Sequence, residues 1–487
     1  MKKPFLRWNN PVWAFLCSVL FLLVFSWSTS PLYMLFGGDS PWYQIIGLGI
    51  TQGKVPYVDL FDHKGPLVFF ADALGFSLGC GKLGIFFLQV AFMTVTFTFI
   101  YKTAALFAST PKRAAAAFAL TLIPLVDFII EGNQCEEWML PWTSVSLYLI
   151  CRYILSGEEK HSPWMSLFYG LSFGVLFYIR PNDGVMWVAS LFLGLFILWL
   201  ARKQYRQILP NVGAFLGGAL IVSAFVFGYF LKHNAVEDFL YGMIFLNLHY
   251  AGDAFFTWGG SGMIIIPAII IVAILIMAKR DGRKDFRYIF IPMLVLVIAL
   301  IGKRDFYHYL IPFVPTIAVC FAMCLEHRWK AFLWIVCFLF AVFSFREFKC
   351  ITKGLLNKER YTEFYEQTDA LLDNVPEAER NNIWNYNLTN YIEDETGPHL
   401  ASLMGVFVHK NITPGNAVFA YFQLSYMDPE RAWRLGIVAN EPEWVLMQPD
   451  DVCNAEFDYI YENYDLVAAT PAKPVCEVRL YRRKADR

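Results

Sequence analysis

Charge is scarce in this chain. Asp, Glu, Lys and Arg make up 17% of its 487 residues, against about 25% in an ordinary soluble domain. So little polar surface excludes a string of water-soluble globules. Cysteine is sparse as well, ten in all, which excludes a small disulfide-stapled scaffold. The formal net charge is −1, so there is no global attraction for nucleic acid. No internal repeat and no low-complexity tract is present. In their place stand a hydrophobic fraction of 57%, an aromatic fraction of 18% and a mean hydropathy of +0.44. The composition is that of a polytopic α-helical membrane protein.

The little charge there is lies unevenly. Ile351–Arg487 holds 13 basic and 22 acidic residues, while residues 1–350 hold 27 and 19. The chain therefore divides into a lipid-embedded part, 1–350, and a water-soluble appendage, 351–487. The N-terminal run behind Lys2, Lys3 and Arg7 is long enough to span, so a removable signal is not expected. Apolar spans fall at Pro11–Ser30, Leu83–Tyr101, Arg113–Ile130, Trp138–Leu155, Met165–Ile179, Val185–Ala201 and Val212–Leu231. Four more follow at Ser261–Ala278, Tyr288–Ile301, Tyr307–Leu325 and Ala331–Phe348, giving about eleven.

The positive-inside rule sets the orientation. With a cytoplasmic N-terminus, the basic loops all fall inside, including Lys279–Arg287 with its five cations. The C-terminal domain then lies outside the cell membrane. In the long first outer loop, Gly65–Gly79 is short for a span and reads as an interfacial or half-buried helix, and Pro41–Gly53 reads as a helix lying along the membrane surface. The tail alternates strand-like runs at Ile383, Glu443, Tyr464 and Val478 with helical stretches, the pattern of a small α/β domain. Its sequons at Asn387 and Asn411 are patterns that arise by chance. Cys453 and Cys476 fall in an oxidising compartment on this topology and are expected to pair.

Ionisable residues at the outer ends of spans are the functional candidates, because charge at membrane depth is costly. One group is Gly37-Gly38-Asp39-Ser40 followed by Asp59, Asp62, His63 and Lys64. A second is the Glu131–Glu137 loop with Glu136 and Glu137. A third is Arg180-Pro181-Asn182-Asp183, and a fourth Lys303, Arg304, His308 and Tyr309. Cations that hold an anionic leaving group beside carboxylates that accept a proton suit phosphate-linked chemistry. Plainer readings stand beside this one. Lys303 and Arg304 could snorkel at the interface, Glu136 and Glu137 could be a solvated loop, and His308 a hydrogen-bonding residue. The Asp62-His63 pair lacks the spaced partners of a metal site. A proton-coupled transporter would want acids near the bilayer midplane on broken helices, and such acids are few.

The segments GGDSPWY and GKVPYVDLFDHKGPL resemble the first outer loop of the GT-C superfamily of polyprenyl-phosphate-dependent glycosyltransferases. The likeness is to bacterial relatives of the protein mannosyltransferases and of the aminoarabinose transferase of lipid A. GNQCEEWMLPW, YIRPND and RDFYHYLIPFVP fall where such enzymes carry a second acidic loop, a later outer corner and the start of a late span. The resemblance implies a GT-C-like membrane domain with interfacial helices, Asp39 as catalytic base and Lys64 on the lipid phosphate. Glu136 and Glu137 would be further catalytic acids, and Asp59, Asp62, His63, Arg180, Asn182, Arg304, His308 and Tyr309 substrate contacts. Relatives often have Asp-Glu where this chain has Asp39-Ser40, so a second acid must come from elsewhere or be absent; no cofactor is required, and the resemblance leaves dependence on a divalent metal open. The implied partners are a polyprenyl-phosphate-linked sugar donor and an envelope glycan, lipid or protein acceptor. The implied reaction is inverting sugar transfer outside the membrane. A lipid-linked sugar transporter and a non-catalytic envelope scaffold remain the alternatives.

Overall fold

The computed structural model describes residues 11–129, 131–248, 261–301, 306–327, 329, 331–338, 340, 355, 358–386, 404–419, 421–449, 455–472 and 475–485. The helices that bear on the site are α1 (Pro11–Phe25), α2 (Ser40–Thr51), α3 (Pro66–Ser77), α4 (Lys82–Phe107), α5 (Pro111–Phe128), α6 (Leu140–Ser156) and α7 (Pro163–Phe177). They continue with α8 (Pro181–Ala201), α9 (Tyr205–Lys232), α10 (Ser261–Arg280), α11 (Phe286–Leu300), α12 (Tyr307–His327), α13 (Lys358–Leu372) and α14 (Gly405–Lys410). The chain forms two compact units. One gathers Met1–Phe25, Leu88–Tyr229 and Gly252–Phe348; the other gathers Ser26–Phe87, Phe230–Ala251 and Lys349–Arg487.

Each of the first ten expected spans coincides with a helix, namely α1 and α4 to α12. The eleventh, Ala331–Phe348, falls largely outside the described residues. Four helices, α4, α8, α9 and α12, are by themselves long and apolar enough to cross a bilayer, since about 20 residues span the hydrocarbon core. On α9 the side chains of Leu209, Leu216, Leu220, Phe225 and Leu231 are exposed. Such a run of bare apolar side chains belongs against lipid, not water.

Local chemistry sets the ends of these helices. Thr110 caps α5, its Oγ1 accepting the Arg113 N–H at 3.3 Å with Pro111 at the first helical position. Gly157 ends α6 in the left-handed region, φ 70°. Within the first unit α12 is the central post, with every residue from Val314 to Cys324 buried, packed against α5, α6 and α10. The segment Gly184–Ala189 of α8 winds as a π-helix directly after Asp183, a widening that often marks functional sites.

In the second unit α2 and α3 pack face to face. A Cβ on Gly47 would come within 2.6 Å of the Asp72 Cβ, so only glycine permits this approach. The stretch expected to form a surface-lying helix is helical as α2, and protein covers it. Every residue from Ser40 to Gly49 is buried. Its apolar side chains run all round the helix, the signature of full burial, and in this unit α3 and the tail cover it. The Trp42 ring lies 5.8 Å from that of Phe419, and the Phe61 N–H donates to the Ala417 carbonyl at 2.8 Å.

The tail carries a four-stranded sheet of β1 (Trp384–Tyr386), β2 (Trp444–Met447), β3 (Tyr464–Ala469) and β4 (Arg479–Arg483), in the order β1-β2-β4-β3. The first pair is parallel, with Asn385 opposite Leu446, and the other two are antiparallel. All four strands lie where the alternating runs placed them. Val445, Met447, Ile460 and Tyr481 fill the core on one face. The expected Cys453–Cys476 disulfide involves Cys453, which lies outside the described residues. Burial pushes the Cys476 thiol up to about 12, which disfavours its reactive thiolate.

Candidate active site

The second unit holds the first acidic cluster. Gly37, at φ 83°, turns the chain into the left-handed region just before Asp39. Asp39 then stands at the head of α2 with its side chain making no cap bond to the helix, and its carbonyl accepts the Trp42 N–H at 3.1 Å. Asp62 is buried, and its Oδ1 accepts the Lys64 N–H at 3.0 Å. Desolvation raises the Asp62 carboxyl to about 6; the Lys64 charge works against that rise and the Asp39 charge adds to it. The two carboxyl groups are thus electrostatic neighbours.

His63 and Lys64 extend this cluster. His63 Nδ1 lies 3.2 Å from Asp62 Oδ1, and its Nε2 lies 3.3 Å from the Lys64 ammonium. An imidazole protonated on Nδ1 donates to Asp62 and accepts from Lys64, so one neutral ring links an acid to a cation. The surroundings hold the loop in place. The Tyr57 hydroxyl donates to the Lys64 carbonyl at 2.6 Å, and Asn247 Nδ2 donates to the His63 carbonyl at 2.6 Å. The Gln423 amide nitrogen, from the tail, lies 3.4 Å from His63 Nδ1. Asp59 is exposed and accepts the Val55 N–H at 2.7 Å, which closes its own turn.

The first unit holds the second cluster, and it is buried too. Arg180 is its hub. Its Nη1 donates to Glu136 Oε1 at 2.6 Å, its Nη2 donates to Asp183 Oδ1 at 3.0 Å, and its Nε also meets Asp183. The guanidinium carbon lies 3.7 Å from the centre of the Tyr309 ring, a desolvated cation–π contact. Burial alone would lower the Arg180 pKa, and the charges of Asp183 and Glu136 raise it instead. Trp187, one turn along α8, donates its Nε1–H to Asp183 at 2.9 Å. Glu136 and Glu137 are both buried, so the loop is not a solvated one.

Glu137 points to different partners. Its Oε1 accepts the Gln134 N–H at 3.1 Å, and its Oε2 accepts from Gln89 Nε2 at 3.3 Å. Burial raises this carboxyl to about 7, opposed by those hydrogen bonds and aided by the charge of Glu136. Asn182 is exposed. His308 is half-buried, its ring 4.7 Å from that of Tyr309. Lys303 and Arg304 lie outside the described residues.

Asp183 belonged to the third candidate group, and its i, i+3 spacing from Arg180 was the signal for their pairing. Gln89, Asn247 and Gln423 come from elements distant in sequence and carried no signal. Among the described residues no three His, Cys, Asp or Glu side chains converge as metal ligands.

A family model for the dolichyl-phosphate-mannose-protein mannosyltransferases matches residues 63–230. No curated protein matches the chain by sequence. Among solved structures, the crystal structure of ArnT from Cupriavidus metallidurans, bound to undecaprenyl phosphate, superposes with a TM-score of 0.59. The match covers 98% of this chain and 99% of that one at 14% identity. The chain shares that fold. The structural likeness runs over nearly the whole chain, the tail included, and the family match opens at His63, in the loop of Asp62 and Lys64.

Proposed function

We propose that this chain is an integral-membrane inverting glycosyltransferase. It takes one sugar from a polyprenyl-phosphate donor and passes it to a glycan, lipid or protein of the cell envelope on the extracytoplasmic side. The observation that carries the reading is the first-loop cluster: buried Asp62, joined through His63 to Lys64, with Asp39 close enough for its charge to act on Asp62. The family match over residues 63–230 and the fold of a protein crystallised with undecaprenyl phosphate support it.

The chemistry follows from the groups present. A sugar hydroxyl is a poor nucleophile at neutral pH, and Asp39 accepts its proton as it attacks the anomeric carbon. Attack from the face opposite the departing phosphate inverts that carbon. The leaving lipid phosphate carries negative charge, which Lys64 and Arg304 neutralise; such preorganised charge commonly supplies about 3 kcal/mol per donor group. Asp62 orients Lys64 through its backbone N–H and His63. Glu136, fixed by Arg180, and Glu137, protonated over much of the acid range, orient the sugars. Asp59, Asn182, His308 and Tyr309 complete the substrate contacts, and no metal is required for the proton transfer.

On this reading the chain crosses the membrane about eleven times with its N-terminus in the cytoplasm. The tail, 351–487, lies outside and helps recognise the acceptor. Protease added to intact spheroplasts then removes it, whereas protection of the tail in sealed cells would overturn the topology. The activity is tested with purified protein in nanodiscs and radiolabelled polyprenyl-phosphate sugar. Release of label from the lipid supports transfer. Movement of intact donor across the bilayer with no release would make the protein a lipid-linked sugar transporter, and neither event would leave a scaffold.

A further inference from the structure

A second polar site lies in the same unit as Asp39, on a part of the first loop that the proposed transfer does not use. A cleft of about 570 Å³ opens between the ends of α2 and α3, the start of α4, and α14 of the tail. Phe36 and Phe76 give it apolar walls, and Gln52, Lys82, His409 and Asn411 its polar lining. Lys82 is the feature that demands an explanation. Its ammonium donates to the carbonyls of Tyr33 at 2.8 Å and Leu35 at 3.0 Å, and it stands 4.7 Å from the centre of the Phe36 ring. These partners fix its position but do not cancel its charge.

Among the described residues no carboxylate forms an ion pair with Lys82. The neighbouring titratable groups are Lys358, which adds to the positive field, and His409. Of the two carboxylates that act on His409, Asp369 does so more strongly than Glu366, and it is already engaged, 3.5 Å from His409 Nε2 and 3.9 Å from the Lys410 ammonium. A cation held rigidly at the wall of a cleft, without a counter-charge, is complementary to an anion that arrives from outside. The apolar walls favour one attached to hydrocarbon. Leu74 on α3 and Leu78 just after it, close in sequence to the lining residues Phe76 and Gly79, are 56% and 50% exposed, so apolar surface lies near the cleft.

We propose that this cleft binds the phosphate of an anionic lipid headgroup, with Lys82 as its cationic anchor and the Phe36–Phe76 walls against the glycerol and upper acyl chain. The site is separate from the Asp39 cluster, and the proposal stands whether or not the chain transfers sugar.

The test is native mass spectrometry of the full chain released from micelles with a short-chain phosphatidic acid or with phosphatidylcholine. One phosphatidic acid is expected to stay bound and phosphatidylcholine to leave. Lys82→Met removes a charge-assisted bond and is expected to weaken retention by about tenfold or more. Because Lys82 also ties down the Tyr33–Leu35 backbone, Thr51→Trp is the companion variant. It fills the cleft from its rim, leaves Lys82 and its anchors in place, and is expected to lose the lipid as well. Equal retention of both lipids, or unchanged retention in Thr51→Trp, would overturn the proposal. Displacement of the lipid by an equal concentration of inorganic phosphate would make the ligand a free anion and overturn the lipid assignment.

Discussion

Replacing Arg180 with Met probes the most heavily invested ion cluster in the protein. The guanidinium meets Glu136 at 2.6 Å and grips both oxygens of Asp183, and the side chains are 15%, 4% and 0% exposed in the order Arg180, Glu136, Asp183. An exposed pair of this kind would contribute less than about 1 kcal/mol. Here removal of the cation leaves two carboxylates facing each other without water, a situation that typically costs about 3–5 kcal/mol. Methionine keeps most of the packing on Tyr309, so the loss is electrostatic and not a cavity effect. In thermal unfolding of the detergent-solubilised protein, Arg180→Met is expected to lower the apparent Tm by on the order of 10 °C. Adding Asp183→Asn removes one of the stranded charges and should restore part of the loss, with a coupling above about 1 kcal/mol in the double-mutant cycle. Were Arg180→Met alone within about 0.5 kcal/mol of wild type, as surface substitutions are, the cluster would be solvated and the reasoning wrong.

Three further outcomes follow from the same physics. Because burial raises Glu137 to about 7, the folded chain keeps a proton that the unfolded chain loses near pH 4.5. The stability this confers is present below about pH 4.5 and fades as pH rises through about 7, by on the order of 3 kcal/mol in all; thermal shifts across a buffer series should lose that slope in Glu137→Gln. Lys64→Met removes the cation at the end of the Asp62–His63 chain and is expected to weaken donor binding about tenfold, read by equilibrium binding of labelled polyprenyl phosphate; unchanged affinity would move the phosphate elsewhere. Cys476, a half-buried thiol that desolvation pushes up to about 12, should react slowly with iodoacetamide in the native protein and readily once unfolded, and equal labelling rates in the two states would refute it.

Much of the architecture was legible because it rests on one-dimensional patterns. Apolar runs of span length placed α1 and α4 to α12, and two-residue alternation around Ile383, Glu443, Tyr464 and Val478 placed all four strands. The first-loop motif picked out Asp39, Asp62, His63 and Lys64 as a group, and the structure brings the last three into direct contact. What the sequence could not carry is partnership through space. The burial of α2 depends on Phe419 and on the strand-like contact of Phe61 with Ala417, nearly 360 residues further along. Arg180 reads as a free cation in the string YIRPND, yet Glu136, 44 residues earlier, closes around it. Gln89, Asn247 and Gln423 are single polar residues in otherwise unremarkable segments, and only the fold assigns them to Glu137 and His63.

The central claim is that Asp39 takes the proton of the acceptor hydroxyl. It is tested most directly by sugar transfer from radiolabelled polyprenyl-phosphate donor in membranes containing Asp39→Asn, with donor binding measured on the same preparation. Asparagine keeps the shape and removes the base, so the account predicts transfer slowed roughly 10²- to 10⁴-fold with donor affinity largely retained. Full transfer by Asp39→Asn, with transfer lost instead in Glu136→Gln or Glu137→Gln, would contradict it and move the base to the second loop.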